Sequence, residues 1–135
     1  MTSDPVLKLP DRTKPFVLRT DSSSSGLGAV LLQYHNSEPF PVAYASKKLL
    51  DRETRYSTIE RECLGIIFGV EKFKYYLLGS EFILETDHKP LVYIKSMKNA
   101  NDRIMRWALA LSVYRFRIVH LPGAENVGAD YLSRT

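Results

Sequence analysis

Cysteine is all but missing from this chain: Cys63 stands alone among 135 residues. A lone thiol excludes an internal disulfide, suits a reducing compartment and rules out metal sites built from several thiolates. Long apolar runs are missing too, and none approaches the roughly 18–20 residues that span a bilayer. The opening MTSDPVLKLPD has no basic stretch followed by an apolar core, so no secretory signal is expected there. There are no internal repeats, and low complexity is confined to four serines at 22–25. A large charge surplus is also lacking. The net charge of +4 only mildly favours a polyanion such as nucleic acid. What remains, 44% hydrophobic and 25% charged residues, is the composition of one globular domain able to bury a single core.

Residues 1–14 hold Pro5 and Pro10 and little periodicity, and read as a linker; the domain proper is expected over 15–135. Strands are predicted at 15–21, 27–35 and 40–46, joined by short turns as an antiparallel meander. Pro39 and Pro41 suit a strand entry or an edge strand, because proline cannot donate to a ladder. A long helix follows, with Ser57 or Thr58 as N-cap and Glu60 and Glu62 in its first turn, where the helix dipole favours acids. Ile59, Cys63, Ile66, Val70, Phe73 and Leu77 form its apolar stripe, and Gly79 ends it. A fourth strand is expected at 81–86, helices at 88–96 and 101–114, a fifth strand at 115–121, and a last helix at 127–133 capped by Asn126. The order βββ-α-β-α-α-β-α predicts an α/β fold with a five-stranded mixed sheet flanked by helices.

Four acids draw attention within this frame. Asp21 and Asp87 each close an apolar strand directly after a threonine (RTDS, ETDH), and Asp130 lies one turn into the final helix (NVGAD). Taken singly, each has an ordinary use as a turn, cap or dipole residue. On the long helix, Glu62 falls about 60° from the centre of the apolar stripe and Glu60 about 100°. Glu62 is therefore expected to border the buried face, with Glu60 as a capping or solvent-facing residue. If the first and fourth strands are neighbours, Asp21 and Asp87 meet at one end of the sheet, within reach of Glu62 and Asp130. Four carboxylates cannot crowd together ionised without a counter-charge, and hard divalent cations with oxygen ligands supply one. Two Mg²⁺ ions about 4 Å apart would make a phosphodiester-cleaving centre, with Mn²⁺ as a natural substitute.

Several flanking residues have two uses. Arg103 and Arg106, after Lys95 and Lys98, suit a phosphate backbone or a merely solvated helix face. His88 suits the scissile strand or the start of the next helix, and Trp107 suits the core or base stacking.

The blocks FVLRTDSSSSGLGAVLLQ, VAYASKKL, YSTIERECLGIIFGVEKFKYYLLGSEFILETDHKPL, RIMRW and PGAENVGADYLSR, in that order over residues 3–134, resemble the ribonuclease H domain of gypsy-type LTR retrotransposon reverse transcriptases, part of a Pol polyprotein. The resemblance implies an endonuclease that hydrolyses the RNA strand of RNA–DNA hybrids during reverse transcription. It places the catalytic and metal-binding acids on Asp21, Glu62, Asp87 and Asp130. It also brings Ser22, Ser24 and Gly26 of the serine turn to sugar or phosphate, with His88, Arg103 and Arg106 as further substrate contacts. SDPVLKLPD resembles the junction after the polymerase part, so residues 1–14 become the linker that follows it. A polymerase domain upstream, an integrase downstream, no membrane, and a cytoplasmic virus-like particle or the nucleus are implied as its setting. Two departures stand out: Ser22 replaces the usual alanine after the first Asp, and PGAENVGAD lacks the histidine that cellular and retroviral relatives often carry before the last Asp. Two alternatives stay open. One is a catalytically silent scaffold that binds hybrid or a partner subunit. The other is a nuclease or strand transferase of the same fold acting on DNA.

Overall fold

The computed structural model describes residues 9–119. Five strands among them form one sheet in the order β3-β2-β1-β4-β5. β1 (Val17–Ser22), β2 (Gly26–His35) and β3 (Glu38–Lys48) are antiparallel neighbours, while β4 (Phe82–Glu85) runs parallel to β1 and β5 (Phe116–Val119) parallel to β4. The expected mixed sheet is thus present, with β1 and β4 side by side. β3 is the edge strand that Pro39 and Pro41 called for, and a register shift between Leu31 and Leu32 marks a bulge opposite them.

The helices α1 (Thr58–Lys72), α2 (Lys74–Leu77), α3 (Lys89–Met97) and α4 (Asp102–Ser112) contribute to one core on one face of the sheet. Leu18, Leu31 and Leu84 meet Cys63, Ile66, Val70, Ile104, Trp107 and Leu111 there. The opposite face carries a smaller buried cluster of Val17, Leu32, Ile83 and Val119. β4 is consequently buried along its whole length, which is why FILE reads as a continuous run and not as an alternation. Among the described residues, no helix is long and apolar enough to cross a membrane.

α1 begins with a capping box. Ser57 Oγ accepts from the Glu60 N–H at 3.2 Å, and Glu60 Oε1 accepts from the Ser57 N–H at 3.0 Å. Gly65 and Gly69 then let the helix lie close on β1. A Cβ at Gly69 would come within 3.0 Å of Thr20 Cγ2 and 3.2 Å of the Leu18 methyls. The expected single helix to Gly79 is instead broken at Phe73 (φ −107°, ψ 26°). α2 follows at once, and the chain leaves through Gly79 at φ +92°. The break keeps Phe73 and Leu77 both in the core. A 3₁₀ turn, Glu53–Arg55, precedes α1 and was not expected; buried Glu53 holds it by accepting from the Leu50 N–H at 2.8 Å. Asn101 caps α4 by accepting from the Ile104 N–H at 2.9 Å.

The lead-in is tied to the sheet by Gln33. Its side chain accepts from the Asp11 N–H and donates to the carbonyls of Asp11 and Lys14, at 2.8, 2.8 and 3.1 Å. The final helix expected at 127–133, with Asp130 and Asn126, lies outside the described residues.

Candidate active site

The parallel pairing of β1 and β4 sets Arg19 opposite Glu85. Asp21 and Asp87 each stand two residues beyond that pair, so both acids emerge at the same end of adjacent strands. Glu62 approaches from α1, one turn before Gly65, whose Cα lies close enough to β1 that an added Cβ would sit 3.8 Å from the Asp21 carbonyl. Thr20, Asp21, Ser22, Glu62, Glu85, Thr86 and Asp87 line a single pocket of about 190 Å³. Three of the four acids singled out in the sequence are therefore brought together, and Asp130 lies outside the described residues.

The charges in this pocket are handled differently. Glu85 is buried; its carboxylate pairs with the Arg19 guanidinium and accepts from the Tyr34 hydroxyl at 3.0 Å. Asp87 Oδ1 accepts from the Lys89 N–H at 2.9 Å, which fixes the carboxylate at the start of α3. The side chains of Asp21 and Glu62 have no hydrogen-bonding or ion-pair partner among the described residues. Within those residues, no three His, Cys, Asp or Glu side chains alone form a group able to hold a metal ion. The donor set nevertheless suits a hard cation that retains several waters and needs only one or two carboxylates from the protein. Next to the acids, Cys63 is plain core. Burial above all, then the negative charges of Glu62 and Glu60, push its thiol up to about 12, and it donates to the Pro90 carbonyl at 3.3 Å.

A shallower trough of about 580 Å³ opens beside the acids, sharing Asp21 and Ser22 with the pocket. It is lined further by Ser23, Ser25, Gly26, Gly28, Ser46, Lys47 and Lys48. Asp21, Gly28 and Ser46 lie in one row across three strands, and a Cβ at Gly28 would meet nothing within 4 Å. Ser22 and Gly26 thus border the site as expected, whereas Ser24 sits exposed in the turn and lines neither cavity.

The other expected substrate contacts divide. Arg106 is exposed on α4. His88 is exposed at the N-cap position of α3 but makes no capping hydrogen bond; Asp87 does that instead. Arg103 is committed inside the protein. Its guanidinium pairs with Glu60 and stacks 4.2 Å above the Tyr56 ring, with Trp107 at 5.5 Å. Trp107 itself is core.

Glu60 requires a correction. It caps α1 as expected, but it does not face solvent: its side chain is only 16% exposed, whereas Glu62 is an exposed residue. The angle from the apolar stripe describes contact with the sheet alone, while α3 and α4 cover this second flank of α1. Tyr93 donates to Glu60 at 3.3 Å and Arg103 pairs with it. Burial alone would raise the Glu60 carboxyl, but the Ser57 N–H, the Arg103 charge and the Ser57 and Tyr93 hydroxyls together hold it below the usual range. Two features escaped the sequence reading. Gly65 and Gly69, four apart, signalled close helix–strand contact. LRTD and LETD place opposite charges at equal offsets before the two strand-end acids.

Over residues 11–114 the chain matches the family described as RNase H-like domain found in reverse transcriptase. It is 44% identical over 131 residues to the retrovirus-related Pol polyprotein from transposon 297 of Drosophila melanogaster, covering 97% of this chain and 12% of that polyprotein. The corresponding polyprotein from transposon gypsy of the same species is 41% identical over 134 residues, with 98% and 13% covered. Among solved structures, the foamy viral protease-reverse transcriptase in complex with RNA/DNA hybrid superposes with a TM-score of 0.65 at 16% identity, over 91% of this chain and 17% of that one. At that identity the likeness speaks for the fold alone. This chain spans a small part of the length of its curated relatives.

Proposed function

The chain belongs to the family of RNase H-like domains found in reverse transcriptase, and from that premise we propose that it cleaves the RNA strand of RNA–DNA hybrids as a divalent-metal-dependent endonuclease. The observation that carries this reading is the meeting of Asp21, Glu62 and Asp87 around one small pocket at the ends of β1 and β4. Asp21, Glu62 and Asp87, joined by Asp130, would hold two Mg²⁺ ions, with Mn²⁺ able to replace them. Such ions, when bound, would make a bound water more acidic and offset charge on the phosphate.

The chain's own side chains orient the reaction. Asp87 is anchored by the Lys89 N–H, so its carboxylate presents a fixed edge to the pocket. Asp21 and Glu62 have no competing partner among the described residues and can serve as oxygen ligands without first breaking an ion pair. Ser22, Gly26 and the lysines of the adjoining trough suit a sugar–phosphate backbone leaving the pocket across β2 and β3. Discrimination of RNA from DNA would come from 2′-hydroxyl contacts across the wide minor groove, not from base sequence. In-line attack by water leaves 5′-phosphate and 3′-hydroxyl ends. The working context would be a Pol polyprotein with a polymerase domain, acting during reverse transcription in cytoplasmic virus-like particles or in the nucleus.

The test is cleavage of an end-labelled RNA–DNA hybrid by the purified chain in Mg²⁺ and in Mn²⁺, beside Asp87→Asn and a duplex-DNA control. Cuts confined to the RNA strand and lost in Asp87→Asn are expected. Metal-dependent cleavage retained by the variant would remove Asp87 from the site. A folded protein that binds hybrid tightly and never cuts it would be a scaffold instead.

A further inference from the structure

Arg19 and Glu85 lie one step behind the acids, and the proposed chemistry does not use them. They are partners across β1 and β4, and Tyr34 of β2 completes a ring with them. Arg19 Nε donates to Glu85 Oε1, the Tyr34 hydroxyl donates to Glu85 Oε2 at 3.0 Å, and Arg19 Nη2 donates to the Tyr34 oxygen at 3.1 Å. The Glu85 side chain is wholly buried, whereas Arg19 keeps 36% of its side-chain surface exposed. Burial and the neighbouring Glu85 charge push the Tyr34 phenol up to about 12, so it remains a hydrogen-bond donor throughout the working range.

The position of this ring matters because side chains two apart on a strand point to the same side, about 6.6 Å from each other. Arg19 and Asp21 both lie in β1, so Arg19 stands beside Asp21. A guanidinium released at this spot has the Asp21 carboxylate within reach, and that ion pair would occupy oxygens that a cation needs. Asp21 has no such partner among the described residues, while the guanidinium two residues away is held by Glu85 and Tyr34.

We propose that Glu85, assisted by Tyr34, is a positioning residue that holds the Arg19 guanidinium away from Asp21, so that this carboxylate stays available to a divalent cation. The inference rests on the metal-dependent reading of the pocket. It differs from a purely structural role in one consequence. If the pair only stabilised the sheet, either single removal would strand a charge, and Arg19→Gln would weaken cation binding as much as Glu85→Gln. If Glu85 restrains Arg19, Arg19→Gln should be harmless and should also relieve the damage caused by removing Glu85.

The experiment is calorimetric titration of Mg²⁺ and Mn²⁺ into the 135-residue chain, its Asp21→Asn variant, Glu85→Gln, Arg19→Gln, Arg19→Gln/Glu85→Gln and Tyr34→Phe, each checked for folding by circular dichroism. Glu85→Gln is expected to weaken cation binding by about 10–100-fold, the range seen when partners behind metal ligands are removed. Arg19→Gln should keep the wild-type affinity, the double variant should recover most of the Glu85→Gln loss, and Tyr34→Phe should show a smaller loss in the same direction. Wild-type affinity in Glu85→Gln, an Arg19→Gln variant as weak as Glu85→Gln, or a double variant as weak as the single, overturns the inference while leaving the metal site intact. If Glu85→Gln does not fold, Tyr34→Phe decides, and unchanged affinity there overturns it equally. A wild-type chain with no Asp21-dependent binding overturns the metal-dependent reading itself, and this inference with it.

Discussion

A methyl group at Gly69 would stand 3.0 Å from Thr20 Cγ2 and 3.2 Å from both Leu18 methyls, tighter than ordinary van der Waals contact and deep in the core. The neighbours cannot yield easily, because Thr20 is β-branched and Leu18 is packed on all sides. Gly69→Ala should therefore push α1 off β1 and destabilise the fold by about 1–3 kcal/mol, the usual cost of overpacking. The displacement also separates Glu62 from Asp21, so cleavage should fall further than stability alone explains. Gly28→Ala is the control: its added carbon meets nothing within 4 Å, so stability should stay within about 0.5 kcal/mol of wild type. Urea denaturation of the two variants checks the contrast, and equal midpoints would refute it.

Among the elements, α1 joins site and scaffold: its first two turns carry Glu60 and Glu62 on different flanks, one locked and one open. Glu60→Gln keeps an oxygen that can cap the Ser57 N–H but removes the charge that pairs with Arg103, a loss of about 1–2 kcal/mol near neutral pH. The carboxyl is held below its ordinary value in the folded protein. Its contribution is therefore complete above the unfolded value of about 4.3, and is lost as pH falls through the lowered folded value. Urea midpoints of wild type and Glu60→Gln measured downward from neutral pH should converge as that acidic window is crossed. A constant gap would show that the charge on Glu60 contributes nothing.

The same helix shows what a sequence can and cannot reveal. Ser57, the acids of the first turn and the apolar stripe are local patterns, so the start of α1 and its contact with the sheet were legible. Asp21 and Asp87 were legible as strand-end acids, and their meeting followed once β1 and β4 proved adjacent. The burial of Glu60 was not, because it depends on α3 and α4, which begin about thirty and forty residues later in the chain. The pairing of Arg19 with Glu85 likewise needs the strand order, not the strand. The break at Phe73 has no proline or glycine to announce it.

For the whole molecule, a net charge of +4 leaves little general attraction for a hybrid duplex, so the placement of each cation matters more than the total. Each phosphate neutralised by a protein cation steepens the dependence of log affinity on log salt by roughly 0.9 for B-DNA, with a comparable slope expected for a hybrid. Arg106 and Lys48 are exposed, and Lys48 lines the trough beside Asp21, so both can release counterions on binding. Arg103 already faces Glu60 and the Tyr56 ring, so its charge is spent within the protein. Arg106→Ala and Lys48→Ala should each lower the salt slope by about 1, whereas Arg103→Gln should leave the slope unchanged while lowering stability. Fluorescence anisotropy of a labelled RNA–DNA hybrid at several salt concentrations, without divalent metal so that cleavage is silent, gives the slopes directly. A drop for Arg103→Gln equal to that for Arg106→Ala would mean that hybrid binding pulls Arg103 away from Glu60. The N-terminal turn of α1 would then be rebuilt when substrate arrives, and the site would not be preformed.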